Sequence, residues 1–239
     1  MQNLERRLAE LESRVTNLER LRRIDMNARI QMLRRVCSYL KSADLHGDYC
    51  EFGVGEGQTF CYAARVMGHR YPDMRFWGFD TFCGMPAAEG ADAHVPFNIG
   101  AAEGAFSPKE SAQAIRRQAL AGAPRVDSSR IITVEGLFAD TLRENGNLPT
   151  NITVAFVDPI HYEPTKIVLD FITGKLRVGS VLIFDDWFSM RNSPQYGNQR
   201  ACREWIETTG HKISPMFSYA GTGRVFSVQE CAGDSGAAL

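Results

Sequence analysis

Leu4, Leu8, Leu11, Val15 and Leu18 recur at steps of four, three, four and three, the spacing that lays one apolar stripe along a helix. In heptad register Met1, Leu8 and Val15 take position a, and Leu4, Leu11 and Leu18 take d, until Arg22 and Asp25 occupy the next a and d and end the seam. Glu5, Glu12 and Glu19 then fall at e and Arg7 and Arg14 at g, so in a parallel pair Arg7 faces the partner's Glu12 and Arg14 the partner's Glu19. An antiparallel pair would set like charges side by side. The pattern predicts residues 1–24 as a coiled-coil oligomerisation helix, with a parallel homodimer first, a trimer or tetramer behind it, and an amphipathic helix packed on its own domain as the alternative. Fewer than three heptads is marginal alone in water, so pairing needs help from the main domains. Glutamates interleave with the arginines, which argues against a membrane-surface helix.

From residue 25 to 232 the periodicity changes to that of one mixed domain, followed by a small-residue tail at 233–239. A helical pattern over 26–46, carried by Ile30, Leu33, Val36, Cys37 and Leu40, stops at His46-Gly47. Tyr49 to Val54, Phe76 to Asp80, Ile131 to Glu135, Ile152 to Asp158 and Val181 to Asp186 read as strands, most without polar alternation, as expected where both sheet faces are covered. Between them lie helical stretches at Gln58 to Met67, near Ser107 to Leu120, and from Glu163-Pro164 to Leu176. Past the fifth strand a helix around Gln199 to Glu207 precedes two strands, Lys212 to Tyr219 and Arg224 to Val228, joined through Gly221-Thr222-Gly223. The prediction is an α/β fold: a doubly wound, Rossmann-like, mostly parallel sheet with a C-terminal antiparallel hairpin, in which Pro215 suits an edge strand. The Ala-, Gly- and Pro-rich stretch from Thr81 to Phe106 is too long for a plain connection and reads as a substrate lid, with disorder as the alternative.

Composition narrows the partners. The 27 basic and 28 acidic residues of 239 leave a formal net charge of -1, so nothing global draws the chain to nucleic acid. No apolar run approaches the roughly 20 residues of a spanning helix and the N-terminus lacks a signal-peptide core, which predicts a soluble cytoplasmic protein without a membrane partner. The six cysteines form no C-x-x-C pair and sit mostly in apolar stretches, so buried thiols are expected in preference to disulfides or zinc.

Candidate chemistry gathers at strand ends. Gly53, Gly55 and Gly57 close the first strand and open a helix, where the backbone must turn sharply and let a ligand approach. Their spacing departs from the dinucleotide pattern G-x-G-x-x-G, and Glu51 ahead of them suits a ligand with an ammonium or sulfonium cation, as S-adenosylmethionine has. Asp80, ending the second strand, can accept hydrogen bonds from ribose hydroxyls, with Thr81 beside it; a solvated strand-end carboxylate is the alternative. Gly136 and Phe138 follow the third strand, where the chain could pass an adenine ring, although Phe138 alone reads as core. Asp158 ends the fourth strand and Asp185-Asp186 the fifth, with no basic residue beside them in sequence. Three converging carboxylates need a cation, and hard oxygen ligands point to magnesium, manganese or calcium; otherwise one caps a helix and the others are solvated.

Taken together, GDYCEFGVGEG, FWGFDTFCGMP, EGLFADTL, VDPIHYEPT and LIFDDW, in that order from about Gly47 to Trp205, resemble the macrocin O-methyltransferase family of class I S-adenosylmethionine-dependent enzymes. The resemblance implies methylation of a sugar or related polyol hydroxyl with a divalent metal. It implies that Glu51, Gly53 and Asp80 hold the cofactor, and that Asp158, Asp185 and Asp186 hold magnesium. The family pattern D-x-D-x-Y is here Asp158-Pro159-Ile160-His161-Tyr162, so isoleucine stands where the family has its general base. His161 then substitutes, or metal coordination alone acidifies the hydroxyl, or the chain has left that chemistry. Metal-independent methylation of another nucleophile, a non-catalytic S-adenosylmethionine-binding oligomer, and a dinucleotide oxidoreductase follow in that order.

Overall fold

The computed structural model describes residues 2–96, 102–143 and 146–231, and within the first helix the side chains of Arg7, Val15 to Asn17 and Arg20 onward. The tail at 233–239 and most of the leucine seam therefore lie outside the described residues. The two helices expected at the N-terminus are one: α1 runs from Gln2–Ser42 without a break. Arg22 and Asp25 interrupt the apolar seam, but neither residue breaks a helix, and Asp25 forms an i,i+4 ion pair with Arg29 at 3.3 Å.

After α1 come β1 (Asp48–Phe52), α2 (Gln58–Met67), β2 (Phe76–Asp80), α3 (Ala112–Gly122), β3 (Ile131–Glu135), α4 (Phe138–Thr141), β4 (Ile152–Val157), α5 (Tyr162–Ile172) and β5 (Val181–Phe184). A single turn, α6 (Ser189–Asn192), then leads to α7 (Gly197–Thr209) and the hairpin β6 (Lys212–Tyr219) and β7 (Gly223–Glu230). The sheet order is β3-β2-β1-β4-β5-β7-β6, parallel through β5 and antiparallel at β7 and β6. Pro215 lies on β6, the outer strand, as its missing N–H requires. The helix expected near Ser107 starts only at Ala112, because Ser111 caps it by accepting from the Ala114 amide at 3.3 Å.

Side-chain parity divides the core in two. Tyr49, Phe76, Val154, Phe156, Val181 and Ile183 point to the face covered by Met32, Leu33, Val36 and Leu40 of α1 and by Phe60 and Met67 of α2. Phe52, Trp77, Phe79, Val157, Leu182 and Phe184 point to the other, against Val168, Leu169 and Phe171 of α5 and Trp205 of α7. Each fully buried Leu or Val contributes about 1.5–3 kcal/mol, so the second half of α1 is firmly docked. Parity also decides where the strand-end acids go. Glu51 continues Tyr49; Asp158 continues Val154 and Phe156; Asp185 continues Val181 and Ile183: all three fall on the α1 face. Asp186 has the opposite parity.

None of the six cysteines forms a disulfide, and Cys37, Cys50 and Cys202 are buried. No helix among the described residues is long and apolar enough to cross a membrane.

Candidate active site

The carboxyl ends of β1 and β4 meet where the sheet reverses its winding, the crevice at which open α/β sheets take ligands. The ladder continues one residue beyond the strands, with the Asp158 amide donating to the Phe52 carbonyl at 2.9 Å and the Asp185 amide to the Val157 carbonyl at 3.1 Å. Gly53, Gly55 and Gly57 have φ of 92°, 51° and 77°, all left-handed. A side chain on Gly57 would strike Ile115 at 2.5 Å, whereas one on Gly55 would meet nothing within 4 Å: Gly55 faces open space.

Asp80 organises this loop. Its Oδ2 accepts from the amides of Val54 at 2.7 Å and Gly55 at 2.8 Å, and its Oδ1 from the Phe82 amide at 2.7 Å. The carboxylate expected to meet ribose thus stands beside the glycine loop and holds its shape. The Thr81 hydroxyl donates to the Gly84 carbonyl at 2.7 Å and starts the lid segment. Gly136 donates its amide to the Asp80 carbonyl at 2.9 Å, at φ 140°. Phe138 sits edge-on to Phe52, ring centroids 6.2 Å apart, and packs on the core.

Glu51 is fully buried and accepts from the Tyr49 hydroxyl. Burial pushes its carboxyl up to about 8, against the opposing effects of the Tyr49 hydrogen bond and Arg29, while Asp185 and Asp80 add to the rise.

The acid cluster holds a cation that was not visible locally. Arg29, from α1, donates through Nη2 to Asp185 Oδ2, and the Tyr219 hydroxyl donates to Asp185 Oδ1 at 2.6 Å. Burial opposes the charge on Arg29, but Asp185, Asp158 and Asp25 hold it protonated. Asp158 is lifted well above the usual carboxylate range, by burial first and then by Asp185. Asp186, on the other parity, accepts from the Ser189 hydroxyl at 2.7 Å and is raised by burial to about 6. Both oxygens of Asp185 are therefore engaged, and among the described residues no three His, Cys, Asp or Glu side chains are disposed to hold a metal ion. Where the sequence leads one to expect magnesium on Asp158, Asp185 and Asp186, a guanidinium stands in the cluster, and the residues as arranged do not fit a divalent ion.

His161 is brought elsewhere. It is buried at the N-cap of α5 and makes no side-chain cap bond; burial lowers its pKa, with Asp92 acting in the opposite direction. Asp92, from the stretch expected to be a lid, supplies that cap instead, accepting from the amides of Tyr162 at 2.8 Å and Glu163 at 2.9 Å. The chain at Asp92 is thereby pinned to α5. Asn198 donates to the Pro159 carbonyl at 2.7 Å and to the Thr165 hydroxyl at 2.9 Å, fixing the loop after β4. Beyond Asp186, Met190, Arg191 and Asn192 all have φ between 54° and 58°, a left-handed turn that non-glycine residues adopt at a cost of about 1–2 kcal/mol each.

A glycine loop preceded by a buried acid, on a seven-stranded sheet with an antiparallel β7, defines a class I S-adenosylmethionine-dependent methyltransferase. The Macrocin-O-methyltransferase (TylF) family model matches residues 24–212, and the chain belongs to that family of O-methyltransferases. The fold is similar to that of the O-methyltransferase NovP (20% identity, TM-score 0.69, covering 85% of this chain and 80% of that one). It is also similar to the calicheamicin methyltransferase CalS11 (23%, 0.65, 83% and 77%). An O-methyltransferase from Bacillus cereus in complex with SAH shares the fold as well (14%, 0.52, 90% and 91%). No curated protein matches the sequence.

The raised carboxyl of Glu51 predicts a pH dependence of defined sign for a cationic ligand bound beside it. Its folded carboxyl is raised from 4.5 to about 8, so the free fold holds a proton that the unfolded chain releases, and ionising it costs stability as pH climbs through that window. A cationic ligand favours the ionised form. Affinity for S-adenosylmethionine is expected to rise between about pH 6 and 7.5, by up to about tenfold per unit, and to flatten in Glu51→Gln. Calorimetric titration at constant ionic strength checks both; a flat parent profile removes Glu51 from cofactor recognition.

Proposed function

We propose that this protein transfers the methyl of S-adenosylmethionine to a hydroxyl of a sugar or related polyol in a natural product or glycan. The observation that carries the reading is the meeting of the two halves of the site: a Cβ on Gly53 would lie 3.2 Å from the Cβ of Asp158. A hydroxyl held at Asp158 is therefore next to the loop that cradles the donor. The relatives support the acceptor class, since CalS11 is a TDP-rhamnose 3'-O-methyltransferase.

The sulfonium is already an activated methyl donor, so the protein's tasks are to bind, to align and to take a proton. Glu51, with Gly53, Gly55, Gly57, Asp80, Thr81 and Gly136, forms the cofactor side; Asp92 ties the lid stretch over α5 on the acceptor side. Asp158 is the proton acceptor in this reading, because a carboxyl with a raised pKa beside the glycine loop is poised for that role, whereas His161 has Asp92 as its charged neighbour. Incubating the protein with S-adenosylmethionine and nucleotide sugars, and following S-adenosylhomocysteine, tests the assignment. Preferential binding of NAD, or no binding of S-adenosylmethionine, would overturn it.

The arm at 1–24 is proposed to pair two copies in parallel. Of its seam, Val15 is described, and it is half exposed, as are Leu21 and Ile24 farther along. Deleting residues 1–21 keeps Arg29 and the docked half of α1. The truncated protein is expected to drop in mass by light scattering while retaining the far-ultraviolet spectrum of the sheet domain. An unchanged oligomer would reject the seam.

A further inference from the structure

We propose that Arg29 is the resident cation of the acid cluster: it stands where a divalent metal would otherwise be needed, bonding Asp185 and balancing the charge beside Asp158. The inference rests on the acceptor entering at this edge, as above. Three observations carry it. Parity places Glu51, Asp158 and Asp185 on the α1 face, so the charge that offsets them has to come from α1 or α2. Arg29 sits one turn before Met32 and Leu33 and two before Val36, all almost completely buried, so the helix delivers the guanidinium from a fixed base. Its orientation is set by the cluster and not by its helix neighbour. Nη2 bonds Asp185, while Nε, buried beside Asp25 at 3.3 Å, has no hydrogen-bond partner.

Other charged and titratable groups facing Arg29 are Asp158, Asp25, Tyr219, Glu51 and Asp186. With Asp185 bonded to both Arg29 and Tyr219, a divalent ion on that carboxylate would have to share an oxygen with one of these donors and stand against a second positive charge. A guanidinium does part of what such an ion does: it offsets the charge of the carboxylates and fixes the orientation of Asp185 by a hydrogen bond. Unlike an ion, it leaves with the helix and not with a chelator.

The test is a manganese titration read by calorimetry and by water-proton relaxation, on the full chain. The parent protein is expected to show no saturable site up to millimolar manganese. Removing the charge in Arg29→Ala should create one site, at least tenfold tighter than any in the parent, which Arg29→Ala/Asp185→Asn abolishes and Arg29→Lys does not show. Retained S-adenosylmethionine binding certifies that the variants fold. A saturable site in the parent that Asp185→Asn removes would overturn the proposal, as would a folded Arg29→Ala protein that gains no site. Should Arg29→Ala fail to fold, the parent and Asp185→Asn titrations decide alone. The titration needs no turnover, so absence of methyl transfer would sink the proposed function and leave this result readable.

Discussion

Asp158→Asn is expected to lower kcat by about 10²–10⁴, the range lost when a positioned proton acceptor is removed, while S-adenosylmethionine still binds. The replacement keeps the size and loses the ability to take a proton. It also removes one member of a carboxylate set that Arg29 alone offsets, so the fold should not suffer from unbalanced charge. His161→Ala, in contrast, is expected to have a much smaller effect, because that imidazole is buried at the N-cap of α5 with Asp92 as its charged neighbour. The pH profile adds a second reading. With Asp158 lifted well above the ordinary carboxylate range, kcat should still be rising above about pH 5, where an unperturbed aspartate is already ionised. Rates measured for both variants at saturating S-adenosylmethionine separate the assignments: an active Asp158→Asn enzyme with an inactive His161→Ala enzyme would return the base to His161.

The second large effect concerns the two glycines that look equivalent in sequence and are not in space. Gly55→Ala places a methyl where the protein has no atoms within 4 Å, so it should cost about the 1–2 kcal/mol of a left-handed alanine in stability. The same methyl intrudes on the space left for the cofactor, and the Kd for S-adenosylmethionine should rise by at least about tenfold, as for the loss of one 1.4 kcal/mol contact. Gly57→Ala meets Ile115 at 2.5 Å and should lose thermal stability first, by about 1–3 kcal/mol beyond the backbone strain. Thermal denaturation and calorimetry on the same two proteins distinguish loop from wall. Equal cofactor affinity in Gly55→Ala and the parent would mean that the cofactor does not pass this glycine.

β2 and β3 lie where their apolar runs begin and end: β2, covered on both faces, leaves a continuous hydrophobic record, and β3, at the sheet edge and half-buried, keeps an apolar run closed by the exposed Glu135. The strand-end acids and the glycine loop were legible for the same reason: topology puts chain positions next to a strand terminus at one edge. What sequence periodicity could not give was the continuity of α1, since the end of an apolar seam marks the end of a buried face and not of a helix. Arg29 escaped notice because, four residues after Asp25, it reads as half of a surface ion pair. The signal that would have found it was the even spacing from Tyr49 to Glu51, from Val154 to Asp158 and from Val181 to Asp185, which aims the acids at one face. Asp92 had no comparable signal: its role depends on a helix terminus 70 residues away.

The pairing of Arg29 with Asp185 joins positions 156 residues apart. Closing so long a loop is entropically unfavourable until intervening strands exist to bring its ends together. During synthesis α1 emerges first, yet its apolar face needs β1, β4 and β5, and its packing against β6 needs nearly the whole chain. The first element made is thus among the last to be completed, and the acids on β4 and β5 remain without their guanidinium until then. Assembly of the sheet and readiness of the site become one event in time: a chain interrupted before Tyr219 lacks both β7, which joins the outer strand to β5, and the hydroxyl that holds Asp185 from the other side.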